Sequence, residues 1–310
     1  LGEGVRRALL PSLLIALPLA LAACGASEET GSGGAGRLTV VATTTQVADF
    51  ARNVAGDDAD VVQLLKPNVD PHDFEPSPKD VHDLARADVL VENGVGLEHG
   101  WLDSAVQAAG FKGTQVDTSK GVAVRGEAGD EHGDPHIWHD PRNAVIMVGN
   151  IRDALVAADP AHAPDFQANA AAYVAKLTAL DADIQAQISS LPADDRKLVT
   201  NHDAFGYYVD RYGLTFVGSI IPSFDTSAAL SGTQLNDLVA EIKATGTKAI
   251  FSESSLPGST AETLGREAGV KVEAGEDSLY GDTLGPPGSA GATYLEMEEH
   301  NTTTIVAALR

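Results

Sequence analysis

From Leu38 onward, short apolar runs alternate with stretches of helical spacing. Leu38–Ala42 (LTVVA) is a run of buried-strand type, and positions 45–54 follow as a helix. Positions 60–65 and 87–92 are the next strands. Between them Ser77-Pro78-Lys79-Asp80 carries the marks of a helix start: a serine cap, proline in the first turn and an acid at the third position. A helix over 97–109 is closed by Gly110. The rhythm repeats in the second half. Strands are expected over 197–201, Thr215–Ile221, 248–252 and 270–273, and helices over 204–212, 234–245, 260–268 and 293–309. Strands alternating with helices argue for an α/β protein with parallel sheet covered on both faces. Segments 87–110 and 247–269 share one plan, a strand, a small-residue loop and a helix ending in Ala-Gly, which suggests two lobes of similar topology.

Between the halves, 165–191 is rich in Ala, Gln and Leu. Its apolar positions Tyr173, Leu177, Leu180, Ile184 and Ile188 recur at helical spacing, with Pro164 before and Pro192 after. One helix of roughly 25 residues would span roughly 40 Å and bend less readily than a loop hinge. The expected organisation is a leader over 1–24, a tether over 25–36, an N-terminal α/β lobe over 37–160, a linking helix over 161–192 and a C-terminal α/β lobe over 193–310.

The leader departs from this pattern. Arg6 and Arg7 precede an apolar stretch over 8–23, broken by Pro11 and Pro18 and ending in Leu21-Ala22-Ala23-Cys24-Gly25. That is too short and too broken for a membrane span, and it has the order of a secretory signal peptide. Cys24 is the sole cysteine, and its context resembles the bacterial lipobox, in which the cysteine is lipidated and anchors the mature chain to the membrane. Residues 25–36, rich in Gly, Ser, Ala and Glu, read as a flexible tether.

With 310 residues, 43% hydrophobic and 21% charged, the chain can build two cores. Its net charge of −23 sets nucleic acid aside as a partner, because phosphate binding needs a basic face. An acidic surface attracts cations over long range, though salt screens it.

The nine histidines are unevenly placed. His72 sits in PNVDPHDFEP, where two X-Pro steps enforce an extended path. His136 and His139 share DPHIWHDP. His202 lies in TNHDAF, at a strand end, the edge where open α/β sheets bind ligands. Asp282, in LYGDTLG, follows the strand pattern of the second half. Three imidazoles and one carboxylate suit tetrahedral zinc, whereas manganese prefers more oxygen donors. Spacing alone leaves each histidine open to a capping or solvated role, and does not decide between His136 and His139.

The segments PNVDPHDFEPSPKD, DPHIWHDPRNA, TNHDAFGYY and LYGDTLG, in this order, resemble the zinc/manganese solute-binding lipoproteins of bacterial ABC importers, over about Leu38 to Leu309. The resemblance implies two lobes, each with a mostly parallel four-stranded sheet flanked by helices, joined by one long helix, with a metal between them. It implies His72, His136, His202 and Asp282 as ligands. Histidine at the third position points to Zn2+ as the transported ion, with Mn2+ or iron as the alternative. It also implies a membrane permease and its ATPase as partners, and an extracytoplasmic, lipid-anchored, monomeric, non-enzymatic protein. His139 and His132 are auxiliary metal candidates. Glu253 is expected to hydrogen-bond a ligand rather than bind the ion. Zinc members often carry a long His- and acid-rich loop before the second ligand. Here 127–134 holds one histidine, His132, and reads as a mobile acidic loop. Two other readings stay open. One is a surface adhesin. The other is a secreted zinc hydrolase, although the chain has no HExxH and no clear Ser-His-Asp arrangement.

Overall fold

The centre of the N-terminal sheet grows from apolar runs, LTVVA and VLVE, that are buried on both faces, and its outer strands are partly exposed. In the computed structural model, which describes residues 1, 2, 4, 37–126, 132–228 and 231–310, four parallel strands lie in the order β2-β1-β3-β4. They are β1 (Leu38–Ala42), β2 (Ala59–Gln63), β3 (Val89–Glu92) and β4 (Thr114–Asp117). The expected lipidation site at Cys24, the tether over 25–36 and most of the acidic stretch before His132 lie outside the described residues. Parallel strands need crossovers, supplied by α1 (Thr45–Ala55), α2 (Pro78–Ala85) and α3 (Leu102–Ala109). Helix α2 begins as its sequence dictates: Ser77 and Asp80 form a reciprocal capping box with Pro78 at the first position. Helix α3 starts later than the periodicity predicts. Residues 94–96 all have positive φ (Gly94 86°, Val95 54°, Gly96 75°), and the chain leaves them through successive tight turns, with the Leu97, His99 and Trp101 amides donating to the Gly94, Gly96 and Glu98 carbonyls. Trp101, at φ −141°, is still outside the helical region, so the helix begins only at Leu102. The Glu98 carboxylate ties that loop down, accepting from the Asn93 and Gly94 amides and the Thr43 hydroxyl.

After β4 the chain runs through a 3-10 turn, Ile137–His139, into α4 (Pro141–Ala158), a helix the strand-and-helix reading passed over. Its N-cap is Asp140, with Pro141 at the first position. Helix α5 (Ala163–Ser189) buries Phe166, Ala170, Tyr173, Leu177, Leu180, Ile184 and Ile188, a single stripe at helical spacing. The stripe packs on α1 and α4 from the first half and on α6 (Gly206–Tyr212) and α9 (Tyr294–Leu309) from the second. One apolar core therefore runs through both halves, and Arg37–Arg310 forms one compact unit.

The second half keeps the alternation with β5 (Lys197–His202), β6 (Thr215–Ile221), α7 (Gly232–Thr245), β7 (Ala249–Phe251), α8 (Ser259–Ala268) and β8 (Lys271–Glu273). Where one four-stranded sheet was expected, the hydrogen bonds group these strands as two parallel pairs, β5–β6 and β7–β8, with β5 packed beside β7. Two causes are local. The strands β7 and β8 have three residues each. At the end of β5 the His202 amide donates to the Glu253 side chain. Among the described residues no helix is long and apolar enough to cross a membrane.

Candidate metal centre

Side chains far apart in sequence meet where the strands end. His72 follows β2, in a loop stiffened by Pro67, Pro71 and Pro76. The Asp70 Oδ1 accepts the His72 amide at 2.9 Å, and the Trp101 indole N–H donates to the Pro71 carbonyl at 3.1 Å. His136 precedes the 3-10 turn. His202 is the last residue of β5. Asp282 lies beyond the short parallel bridge between Glu253 and Leu279. Its loop is gripped from the first half: Gln46 Nε2 donates to the Asp282 carbonyl at 2.8 Å, and the Leu284 amide donates to Thr45 Oγ1 at 2.8 Å. These contacts join α1 to the second half.

One candidate ligand atom from each of His72, His136, His202 and Asp282 lies within 4.8 Å of all the others. Asp282 Oδ1 is 3.3 Å from both His136 Nε2 and His202 Nε2 and 3.9 Å from His72 Nε2. The two Nε2 atoms are 3.2 Å apart. A zinc tetrahedron with bonds near 2.0–2.1 Å has edges of about 3.3–3.4 Å, so three of these separations already match it.

Tautomers follow from the partners. His136 Nδ1 lies 2.9 Å from Asp134 Oδ1, and His202 Nδ1 lies 3.0 Å from Glu253 Oε1. An ionised carboxylate only accepts, so each Nδ1 donates, and once its second proton is lost each ring turns an Nε2 lone pair to the centre. Among the described residues, His72 Nε2 and both Asp282 carboxylate oxygens are buried without a hydrogen-bond partner. Lone pairs buried face to face are costly unless a cation or protons lie between them.

The charges agree. Burial works against a charged ring at His136, but Asp134 and Asp282 outweigh it and push it up to about 9. Burial likewise opposes the charged His202, and Asp282 and Glu253 hold it well above its ordinary value. Burial alone would raise Asp282, yet the surrounding imidazoles hold it well below the usual carboxylate range. The cluster is an acceptor site for positive charge, and a metal ion must displace protons to enter.

The other candidates fall elsewhere. His139 is buried but takes no place in the cluster: its Nδ1 faces Glu298 Oε1 at 2.8 Å and its Nε2 faces the Gly281 carbonyl at 3.0 Å. His132 is exposed, its ring 5.0 Å from that of His99. Glu253 stands behind His202. Asp134, to which the sequence analysis assigns no role, holds His136 in place: its Oδ1 takes both the amide and the Nδ1 of that histidine, and its position two residues earlier is the sequence signal for it. Arg125 braces Asp134 Oδ2 at 2.7 Å and Asp210 at 2.6 Å. Gln46 had no signal, since its partner lies 236 positions away.

An α/β chain with a buried cluster of three histidines and one aspartate between its halves is, by class, a metal-binding protein. Comparison with known proteins agrees. A family profile described as zinc-uptake complex component A periplasmic (ZnuA) matches residues 40–308, and the chain belongs to this family. The manganese-binding lipoprotein MntA of Halalkalibacterium halodurans is 32% identical over 300 residues, covering 96% of this chain and 97% of the relative. The metal ABC transporter substrate-binding lipoprotein FimA of Streptococcus parasanguinis is 31% identical over 309 residues, with 96% and 97% covered. The solved structure of the periplasmic zinc binding protein TroA from Treponema pallidum superposes with a TM-score of 0.82 at 32% identity, covering 88% of this chain and 99% of that one.

Proposed function

We propose that the protein captures Zn2+ outside the cytoplasm, tethered by a lipid on Cys24, and delivers it to an ABC permease driven by its ATPase. His72, His136 and His202 would supply three nitrogens and Asp282 one oxygen, with the two halves acting as lobes around the ion. The carrying observation is the set of buried lone pairs with no hydrogen-bond partner, His72 Nε2 and both Asp282 oxygens, beside two Nε2 atoms held 3.2 Å apart. Three imidazoles and one carboxylate are the donor set zinc favours, and four protein donors leave no open position for a reacting water. Capture and release is therefore the work, with no chemistry on a substrate.

Manganese is the second reading, favoured by the name of the MntA relative at 32% identity. Metal content after purification, followed by competition between Zn2+ and Mn2+ for the ion-free protein, separates the two. Retention of one equivalent of zinc against excess manganese is expected. Preferential retention of manganese overturns the zinc assignment and leaves the capture role standing.

A further inference from the structure

Two ligand rings of the cluster are aimed by a carboxylate behind them, Asp134 for His136 and Glu253 for His202. Asp282 has no such support, because neither carboxylate oxygen has a hydrogen-bond partner. Its direction must come from its backbone. The Asp282 carbonyl is held by Gln46. The preceding carbonyl, of Gly281, accepts two donors: Trp138 Nε1 at 3.1 Å and His139 Nε2 at 3.0 Å. A carbonyl oxygen has two lone pairs, so both are taken and the peptide plane leading into Asp282 is fixed in rotation. A Cβ at residue 281 would lie 2.0 Å from Glu253 Oε2, so any side chain there would push aside the carboxylate that holds His202.

His139 is itself clamped. A carbonyl can only accept, so the ring's proton sits on Nε2. Nδ1 then shares one proton with Glu298 at 2.8 Å, and the ring stacks on Phe205 with centroids 4.4 Å apart. Glu298 lies on one face of α9 with Tyr294 and Asn301, at spacings of four and three. Tyr294 donates its hydroxyl to the Trp138 carbonyl at 2.7 Å, and Asn301 pairs with both backbone groups of Tyr280. One helical face thus holds the segment after His136 and the segment before Asp282 in a single register.

We infer that His139, braced by Glu298 on α9, is the positioning residue that aims Asp282 at the ion. This inference rests on the metal-capture reading. It assigns His139 to the control of a ligand rather than to ligation.

The test uses the full ion-free protein with Zn2+ and Co2+ as probes, and three variants: His139→Leu, His139→Gln and Glu298→Leu. Zinc affinity by chelator competition, the visible absorption of the Co2+ form and the melting temperature of the ion-free form are measured together. His139→Leu should weaken zinc about 10–100-fold, the usual cost of losing a group that orients a ligand, and should shift the Co2+ bands. His139→Gln, which keeps an N–H for the Gly281 carbonyl, should recover most of both. Glu298→Leu should weaken zinc in the same direction with His139 in place, and it stands as the readout if His139→Leu does not fold. Wild-type affinity and Co2+ bands in His139→Leu overturn the inference. So does a loss shared equally by Leu and Gln that only follows the melting temperature. A wild-type protein that takes up neither ion overturns the capture reading and this inference together.

Discussion

Two buried histidine–carboxylate assemblies lie side by side in this protein, and they differ in what their lone pairs face. His139 and Glu298 are both buried and 2.8 Å apart, yet each ring nitrogen of His139 has a partner. His72, His136, His202 and Asp282 are as closely packed, but their inward atoms face one another, and three of them have no hydrogen-bond partner. Burial and proximity are common to both, and so is residue type. What separates a site for a cation from a structural pair is unspent acceptor capacity turned to one point. The two should respond differently to an added ion: the first gains a partner for several acceptors that converge from four side chains, while the second leaves a single unpartnered oxygen, Glu298 Oε2, too few donors to hold an ion.

The sharpest way to break this comparison is to remove an inward-facing donor. His202→Ala deletes a ring that reaches two other candidate ligand atoms. Zinc affinity should fall by well over the roughly hundredfold that follows loss of a group behind a ligand, with titration calorimetry or chelator competition as the measurement. An unchanged affinity would remove His202 from the site and dissolve the distinction.

Proton competition comes next in size. In the ion-free protein His136 is held at about 9, above its ordinary 6.5, by Asp134 and Asp282 against the effect of burial. The ring is therefore protonated at neutral pH and must lose that proton to bind metal. Zinc affinity should weaken about tenfold per pH unit below about 9 for each proton displaced, and His202, also held high, adds to the slope. The ion-free fold should show the opposite sign. A raised pKa contributes stability that is complete below about 6.5 and is lost as pH rises through about 9. Melting curves from pH 6 to 9 should thus fall for the ion-free form while zinc-induced stabilisation grows. A flat proton count on binding, from calorimetry in buffers of different ionisation enthalpy, would show that the cluster holds no protons to displace.

How much of this was legible beforehand depends on whether the cause was local. Helix α2 was readable because Ser77, Pro78 and Asp80 act within four residues, and α5 because its buried stripe repeats over seven positions. Strand β4, TQVD, was not. It is polar and half-exposed, and becomes a strand only by pairing with β3. Helix α4 was legible but unread: Asp140-Pro141 is a cap followed by a first-turn proline, and Ala144, Met147, Val148, Ile151 and Leu155 share one buried face. The motif around His136 drew the reading to chemistry instead. The four-residue cluster carried a sequence signal, polar loops at strand ends. For the choice between His136 and His139, spacing gave none and only the family resemblance pointed to His136, because the contact that holds His139 aside comes from Glu298, 159 positions away.

The support behind each ring should matter less than the ring itself. Asp134→Asn keeps the shape but puts an amide where the carboxylate accepts the His136 Nδ1–H and pairs with Arg125. Zinc affinity should weaken about 10–100-fold, and the pH slope should flatten, because His136 loses one of the two carboxylates that raise it. A weakened affinity with an unaltered pH profile would mean that Asp134 supports the fold around the ring and does not tune the ring.

The smallest effect should lie at the mouth. His72 is the one cluster residue that is not fully buried, and among the described residues its loop is tied to the second half by two hydrogen bonds outside the cluster: Thr226 Oγ1 donates to Asp70 Oδ2 at 2.5 Å and the Asn68 amide donates to Thr283 Oγ1 at 2.9 Å. Asp70 also accepts the His72 amide through its other oxygen. Thr226→Val removes one of these two ties and leaves the Asn68–Thr283 bond and that turn intact, so no inward-facing lone pair is lost. A net hydrogen bond contributes about 0.5–1.5 kcal/mol, which corresponds to about a 2–10-fold weakening of zinc binding. The change should appear as faster dissociation to a chelator with little change in capture rate, since the contact exists only when the two halves are together. If Thr226→Val costs more than Asp134→Asn, then closure across the mouth governs retention more than the aiming of the rings does, and the contrast between filled and unfilled lone pairs is no longer enough to rank these residues.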